Sequence, residues 1–220
     1  MREMGDALGD PVADLAVREI YQRARLDPSR PTGSVALAVA LFGDRCIRLA
    51  EPRELPGRSA LVWPDGVPVI HLRRGLSARQ VNHAVAHELG EWLLRIWSFH
   101  GPQAEDLSGR IGAAVCVPRE AFHLAHGKLG EHLPKLSQAF TVSQSLMALR
   151  VGECLGHPTA LITPRRVRTR GGHWPWPTSE QGWRVLLERP EARGVSKHRI
   201  RDARGRVVLR AKASASSRTR

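Results

Sequence analysis

Residues 83–92, HAVAHELGEW, bring His83, His87, Glu88 and Glu91 onto one short stretch of chain. On a helix, residues four apart share a face, so His87 and Glu91 can aim at one point, as can His83 and His87. The HExxH arrangement uses this spacing to converge two imidazoles on a metal. The glutamate beside the first histidine then takes a proton from water that the metal has made acidic. Here Glu91 stands at the second histidine position and offers a carboxylate oxygen instead. One ion does not reach all three positions, because His83 and Glu91 lie about 12 Å apart along the axis at ~1.5 Å per residue. The competing reading is a solvated polar face made of these residues and Arg95. Gly90 adds a second signal. A mid-helix glycine costs roughly 1 kcal/mol against alanine, which points to close approach by another backbone or a ligand.

These side chains need a helix to hold them. Ser77 with Gln80 three residues on forms a capping-box pattern. Val81, Val85, Leu89, Trp92 and Ile96 then make an apolar stripe that carries the helix to about residue 98, before Gly101-Pro102. Upstream, residues 12–25 predict a helix with Val12, Leu15, Ala16, Ile20 and Ala24 as its apolar stripe. A linker at 28–34 and a short helix at 35–42 follow, then a strand at Cys46–Leu49. Ser59–Trp63 and Val67–Leu72 flank Pro64-Asp65-Gly66 and predict a β-hairpin. Downstream, a helix at 104–116 ends before Pro118, and a shorter one starts at 119. Short helices follow at 134–139 and 145–151, and residues 160–170 predict a strand. Pro175 and Pro177 make 173–177 irregular. Ile200–Asp202 and Arg206–Arg210 suggest a basic edge hairpin, and the last eight or so residues a disordered tail.

The chain has 220 residues and 42% hydrophobic content, enough for one domain with a small appendage. Cys46, Cys116 and Cys154 are widely spaced and odd in number, which argues for buried thiols rather than a disulfide framework. MREMGDALGDP lacks the apolar run of a secretory signal, and no apolar stretch is long enough to span a bilayer. A cytoplasmic protein with no membrane association is the expectation.

Charge divides the chain. Residues 165–220 hold 16 Lys/Arg against 4 Asp/Glu, a net of +12 out of the +13 total. Arg165, Arg166, Arg168 and Arg170 precede Trp174 and Trp176, and Arg199, Arg201 and Arg206 follow. Such a mixture can grip phosphates and stack bases. An acidic protein partner, or a basic surface with its tryptophans anchored on the body, fits the same letters.

HAVAHELGEWLLR resembles the motif helix of the ImmA/IrrE family of zinc-peptidase-like proteins, and its setting of helices and hairpin is similar too. EDLSGRIGAAVCVP (105–118) resembles the family's second helix. LSQAFTVSQSLMALRVGECLG (136–156) resembles its short-helix unit, through Phe140, Val142, Ser143, Arg150 and Gly156. The likeness covers about residues 12–160. It implies an α+β, zincin-like minimal metallopeptidase fold with a long HExx(E) helix, a small β-hairpin sheet and a short-helix unit. Residues 1–160 would form that domain, and 161–220 a basic, β-rich, Trp-containing extension.

The resemblance implies roles for individual residues. His87 matches the first zinc ligand and Glu88 the general base. Glu91 occupies the second ligand's place. Aligning on Pro118 puts Leu107 where the family has its carboxylate ligand, so the third donor is expected from Asp106, with Glu105 or His83 as alternates. One imidazole with two carboxylates is a hard donor set, suited to zinc bound less tightly, another divalent ion, or none. Without a cation, Glu88, Glu91 and Asp106 would repel one another, raising their pKa values.

The implied function is a regulatory protein with a degenerate peptidase site that need not be active, of bacterial or phage type. The alternatives are an active divalent-metal endopeptidase cleaving a helix-turn-helix repressor-type partner, and a nucleic-acid-associated protein acting through its basic C-terminal region. TVSQS also resembles the start of a DNA-reading helix, but Lys135 and Arg150 are the sole cations from 129 to 156. Packing within the domain fits that composition better.

Overall fold

The computed structural model describes residues 10–156, 159–162, 167–170, 195–199 and 207–211. Its architecture is α+β, in two compact units divided between Ser143 and Gln144.

In the first unit, helix α1 (Pro11–Ala24) buries Ala13, Ala16, Val17, Ile20, Tyr21 and Ala24. That face is turned from the expected stripe, since Val12 and Leu15 are 43% and 58% exposed. Polar anchors account for the rotation. Arg119 donates to Asp14 at 2.8 Å, and the Trp97 indole donates to Glu19 at 2.9 Å. These two bonds direct the 14/19 side of the helix towards its neighbours and leave Val12 and Leu15 outside.

Helix α2 (Ser34–Phe42) ends at Gly43, whose φ of 87° suits glycine. Strand β1 (Ile47–Ala50) then runs parallel to β3 (Val69–Arg73), which pairs antiparallel with β2 (Ser59–Val62). The sheet order is β1-β3-β2, so β2 is an edge. The expected hairpin is present, with Ser59 opposite Leu72 and Val62 opposite Val69. Its connection is a tight turn at Pro64–Gly66, with Asp65 and Gly66 at positive φ.

Helix α3 (Ala78–Ile96) starts as the capping pattern predicts, the Ser77 N–H donating to the Gln80 side chain at 2.8 Å. Val85, Leu89 and Trp92 are buried, whereas Ile96 is exposed. Helix α4 (Ala104–Cys116) packs along α3. The crossing is close because two glycines permit it. A Cβ on Gly90 would lie 2.9 Å from the Ser108 carbonyl, and one on Gly112 would lie 2.9 Å from the backbone of His87. The approach predicted at Gly90 is therefore made by the α4 backbone. Helices α5 (Arg119–Leu129) and α6 (Leu133–Ala139) complete the unit.

Asn82 ties this unit together. Its carbonyl oxygen accepts from the Ser34 N–H at 2.8 Å and the Ser34 hydroxyl at 2.9 Å. Its amide donates to the carbonyls of Phe140 and Thr141 at 3.1 and 3.3 Å. The start of α2, the start of α3 and the end of α6 are thus joined through one buried side chain.

The second unit holds helix α7 (Gln144–Leu155) and a four-stranded antiparallel sheet. Its strands are β4 (Thr159–Ile162), β5 (Val167–Arg170), β6 (Val195–Arg199) and β7 (Val207–Ala211), in the order β5-β4-β7-β6. The stretch 160–170 contains two antiparallel strands where one was expected. The basic hairpin pairs Arg199 with Val207, so its first strand lies upstream of the expected 200–202. Of the hairpin's two strands only β6 is an edge, because β7 also pairs with β4. Ser145, Met147, Ala148, Val151 and Cys154 on α7 are buried, which leaves these positions unable to read bases as a recognition helix would. The three cysteines are buried and outside any disulfide, as expected. Among the described residues no helix is long and apolar enough to cross a membrane.

Candidate metal centre

Helix α3 presents His87, Glu88 and Glu91 towards a cleft bounded by β2 and the first turn of α4. His87 is fixed from behind, where Gly112 lets α4 lie directly on its backbone. The His87 Nε2 lies 3.2 Å from Glu91 Oε1 and 3.5 Å from Glu105 Oε1. One donor atom from each of these three residues falls within 4.8 Å of the others. Ligand atoms around a tetrahedral ion with bonds of about 2.1 Å are about 3.4 Å apart. The imidazole already meets that separation with both carboxylates. The cluster could hold a divalent cation, and its single nitrogen and two carboxylates are a hard donor set.

The protonation pattern follows from the contacts. Glu91 holds His87 above the usual imidazole range by accepting its hydrogen bond, with Glu105 and Glu88 adding negative charge and burial opposing. Glu91 is held below the usual carboxylate range, chiefly by that same bond. The expected mutual rise of the carboxylates therefore fails at Glu91, because the imidazole beside it supplies the missing cation. Glu88 is raised as expected, but by burial first and by repulsion from Glu91 only to a lesser degree. It is 2% exposed, and burial pushes its carboxyl up to about 7 against a hydrogen bond from Ser59 on β2 that lowers it. Its Oε2 is buried without a hydrogen-bond partner.

Asp106 is not in the cluster. It faces Arg110 one turn on, at 3.3 Å, while Glu105 reaches back to His87. Leu107 is buried in the core. His83 lines the same cleft one turn before His87 without contributing a donor to the group of three. Three contributors escape sequence reasoning. Ser59 reaches Glu88 from a strand distant in sequence, Gly112 is one of several small residues in GRIGAA, and Asn82 has no pattern around it. Of the basic residues, Arg168 and Arg170 lie on β5 and Arg199 on β6. Arg165, Arg166, Trp174, Trp176, Arg201 and Arg206 lie outside the described residues.

No protein-family model matches the chain, and neither does any curated protein. A solved structure described as a Mycobacterium tuberculosis transcriptional regulator is similar, with a TM-score of 0.58 at 13% sequence identity. The match covers 91% of this chain and 75% of that one. At that identity, the likeness is one of fold.

Proposed function

We propose that this chain is a regulatory protein of the ImmA/IrrE type, built around a divalent-cation site in which His87, Glu91 and Glu105 are the ligands. The observation that carries the reading is the convergence of three donor atoms from two helices within 4.8 Å. The buried, unpartnered Oε2 of Glu88 supports it, since an acid left this way beside a donor cluster suits a site that takes a charged guest. The fold likeness to a protein described as a transcriptional regulator is in keeping with a regulatory role. Zinc fits the donor set less tightly than it fits a His-rich one, and a harder ion such as manganese fits comparably. A cytoplasmic setting and a helix-turn-helix repressor-type partner belong to this proposal.

A second reading, that of an endopeptidase acting on such a partner, is favoured by one observation. Glu88 sits at the base position beside the donor cluster, with its Oε2 buried and without a hydrogen-bond partner, as a carboxyl awaiting a proton would be. A divalent ion at the cluster would supply Lewis acidity. Glu88 would hold and pass on a proton at Oε2, and Ser59 would orient its carboxyl.

Equilibrium dialysis of the chelator-stripped chain against zinc and manganese tests the first reading. One equivalent is expected for the native chain and a loss of at least tenfold in affinity for His87→Ala. The absence of a stoichiometric ion with both metals would exclude the site. Glu88→Gln separates the two readings. Retained ion binding with loss of hydrolysis of a fluorogenic peptide library supports an endopeptidase, whereas no hydrolysis by the loaded native chain leaves the regulatory reading.

A further inference from the structure

The cleft along α3 has two lobes, and the donor cluster stands where they meet. One lobe is bounded by β2, His83, His87 and Glu88. The other lies beyond Glu91 and is lined by Leu94, Arg95, Phe99, His100 and Ala104. Glu91 and Glu105 belong to both. At about 480 Å³ the second lobe is large enough to take a ligand group, so its chemistry decides what enters.

Arg95 gives this lobe its positive charge. Its guanidinium lies 4.7 Å from the centre of the ring of Trp63, the residue that follows β2. Stacking on an indole holds the plane of a guanidinium and leaves its N–H edge available to an anion. Glu91, one turn before it, is engaged by His87 at 3.2 Å, and Arg95 has no carboxylate partner among the described residues. Across the lobe lies the first turn of α4, where Gln103 provides no side-chain cap and the helix dipole favours negative charge. Glu91 and Glu105 oppose an anion from the cluster side. A divalent ion held between them offsets those two charges and leaves Arg95 as the uncompensated one, so the inference rests on the reading of the cluster as an ion site.

We propose that Arg95 selects a glutamate side chain of a bound peptide, seating its carboxylate in the lobe beyond Glu91 while the peptide backbone passes the donor cluster. Arg95 is one helical turn past Glu91, about 6 Å at ~1.5 Å per residue, and an extended chain advances about 3.3 Å per residue. The selected glutamate therefore stands one or two residues from the peptide group that faces the cluster. Leu94, Phe99 and Ala104 offer apolar surface to its methylenes, and the planar fork of Arg95 matches its two oxygens. Phosphoserine is the poorer fit, because it brings nearly two negative charges towards Glu91 and Glu105. The partner is thus an acidic segment of a protein.

The test is capture of the zinc-loaded full chain on an array of twelve-residue peptides of random neutral sequence. Each peptide carries one glutamate and is printed beside its glutamine and phosphoserine twins. The native chain should prefer glutamate over glutamine at least fivefold, and Arg95→Gln less than twofold. Arg48→Gln removes the same charge from the exposed face of β1 and should keep the native preference, which separates the lobe from the chain's net charge. A melting curve shows whether Arg95→Gln leaves the fold intact, and Arg95→Lys, which retains the charge, should keep a preference of at least twofold. A native chain that binds no peptide, or binds glutamate and glutamine twins equally, would overturn the proposal. So would an Arg48→Gln loss equal to that of Arg95→Gln, a preference for phosphoserine, or an Arg95→Lys variant with no preference, which would assign Arg95 to holding Trp63 alone. Equal binding of the twins by a chain that takes one equivalent of zinc sinks the lobe and spares the ion site. A glutamate preference that depends on Arg95 in a chain that binds no ion does the reverse.

Discussion

At the scale of the residue, the metal centre depends on which atoms face His87. Glu91 and Glu105 do, and Asp106 is turned to Arg110. One position along a helix is a rotation of about 100°, and here it turns Glu105 to His87 and Asp106 to Arg110. The sequence shows that acids begin α4, but the rotation of α4 is fixed by contacts with α3 that no local pattern encodes. Glu88 leads to a prediction about pH. In the metal-free chain its carboxyl is raised from 4.5 to about 7. A raised pKa means the folded state holds the proton more tightly, so this group's contribution is complete below 4.5 and disappears as pH rises through 7. The fall amounts to at most about 3 kcal/mol. His87, also raised, has the same sign at higher pH. Glu91, lowered, has the opposite sign and loses its contribution as pH falls below the usual carboxylate range. Urea unfolding of Glu88→Gln in chelator should therefore show a flatter stability profile between about pH 5 and 7 than the native chain. An unchanged slope would show that Glu88 ionises normally.

At the scale of the element, the α3–α4 crossing holds the site together, and two glycines of α4 separate packing from helix propensity. Gly112→Ala should destabilise the chain by about 1–3 kcal/mol, since the added methyl meets the His87 backbone. Gly109→Ala meets nothing within 4 Å and should be neutral or stabilising by up to about 1 kcal/mol. Denaturation midpoints measure both, and destabilisation by both would mean the crossing is not what Gly112 serves. Asn82→Ala should cost at least about 2 kcal/mol, because it strands the buried Ser34 N–H along with the carbonyls of Phe140 and Thr141, while the Ser34 hydroxyl keeps the Asn82 backbone carbonyl as acceptor. A loss below half that value would show that water replaces the amide.

The elements also show what the sequence makes legible. Capping at Ser77, the Pro64-Asp65-Gly66 turn and the stop before Pro118 are local signals, and the structure contains all three features. The face of α1 is not local. Its apolar residues allow two overlapping stripes, and the polar bonds from Arg119 and Trp97 to Asp14 and Glu19 select the one that exposes Leu15. Strand order in the C-terminal sheet was likewise hidden, because the pairing of β7 with β4 joins segments far apart in the chain.

At the scale of the whole molecule, a near-neutral stretch carrying the donor cluster is joined to a strongly basic one. The charge split is visible at once in the composition. If the cluster takes an ion, binding should stabilise the folded chain as the ion is added, and the ligand set can be read from calorimetry alone. The most direct measurement is isothermal titration of zinc and manganese into the chelator-stripped full chain, comparing the native sequence with Glu105→Ala and Asp106→Ala. A single equivalent bound by the native chain and by Asp106→Ala, with at least a tenfold loss in Glu105→Ala, is the predicted result. No binding by the native chain, or a Glu105→Ala variant that titrates like the native one, would contradict the account.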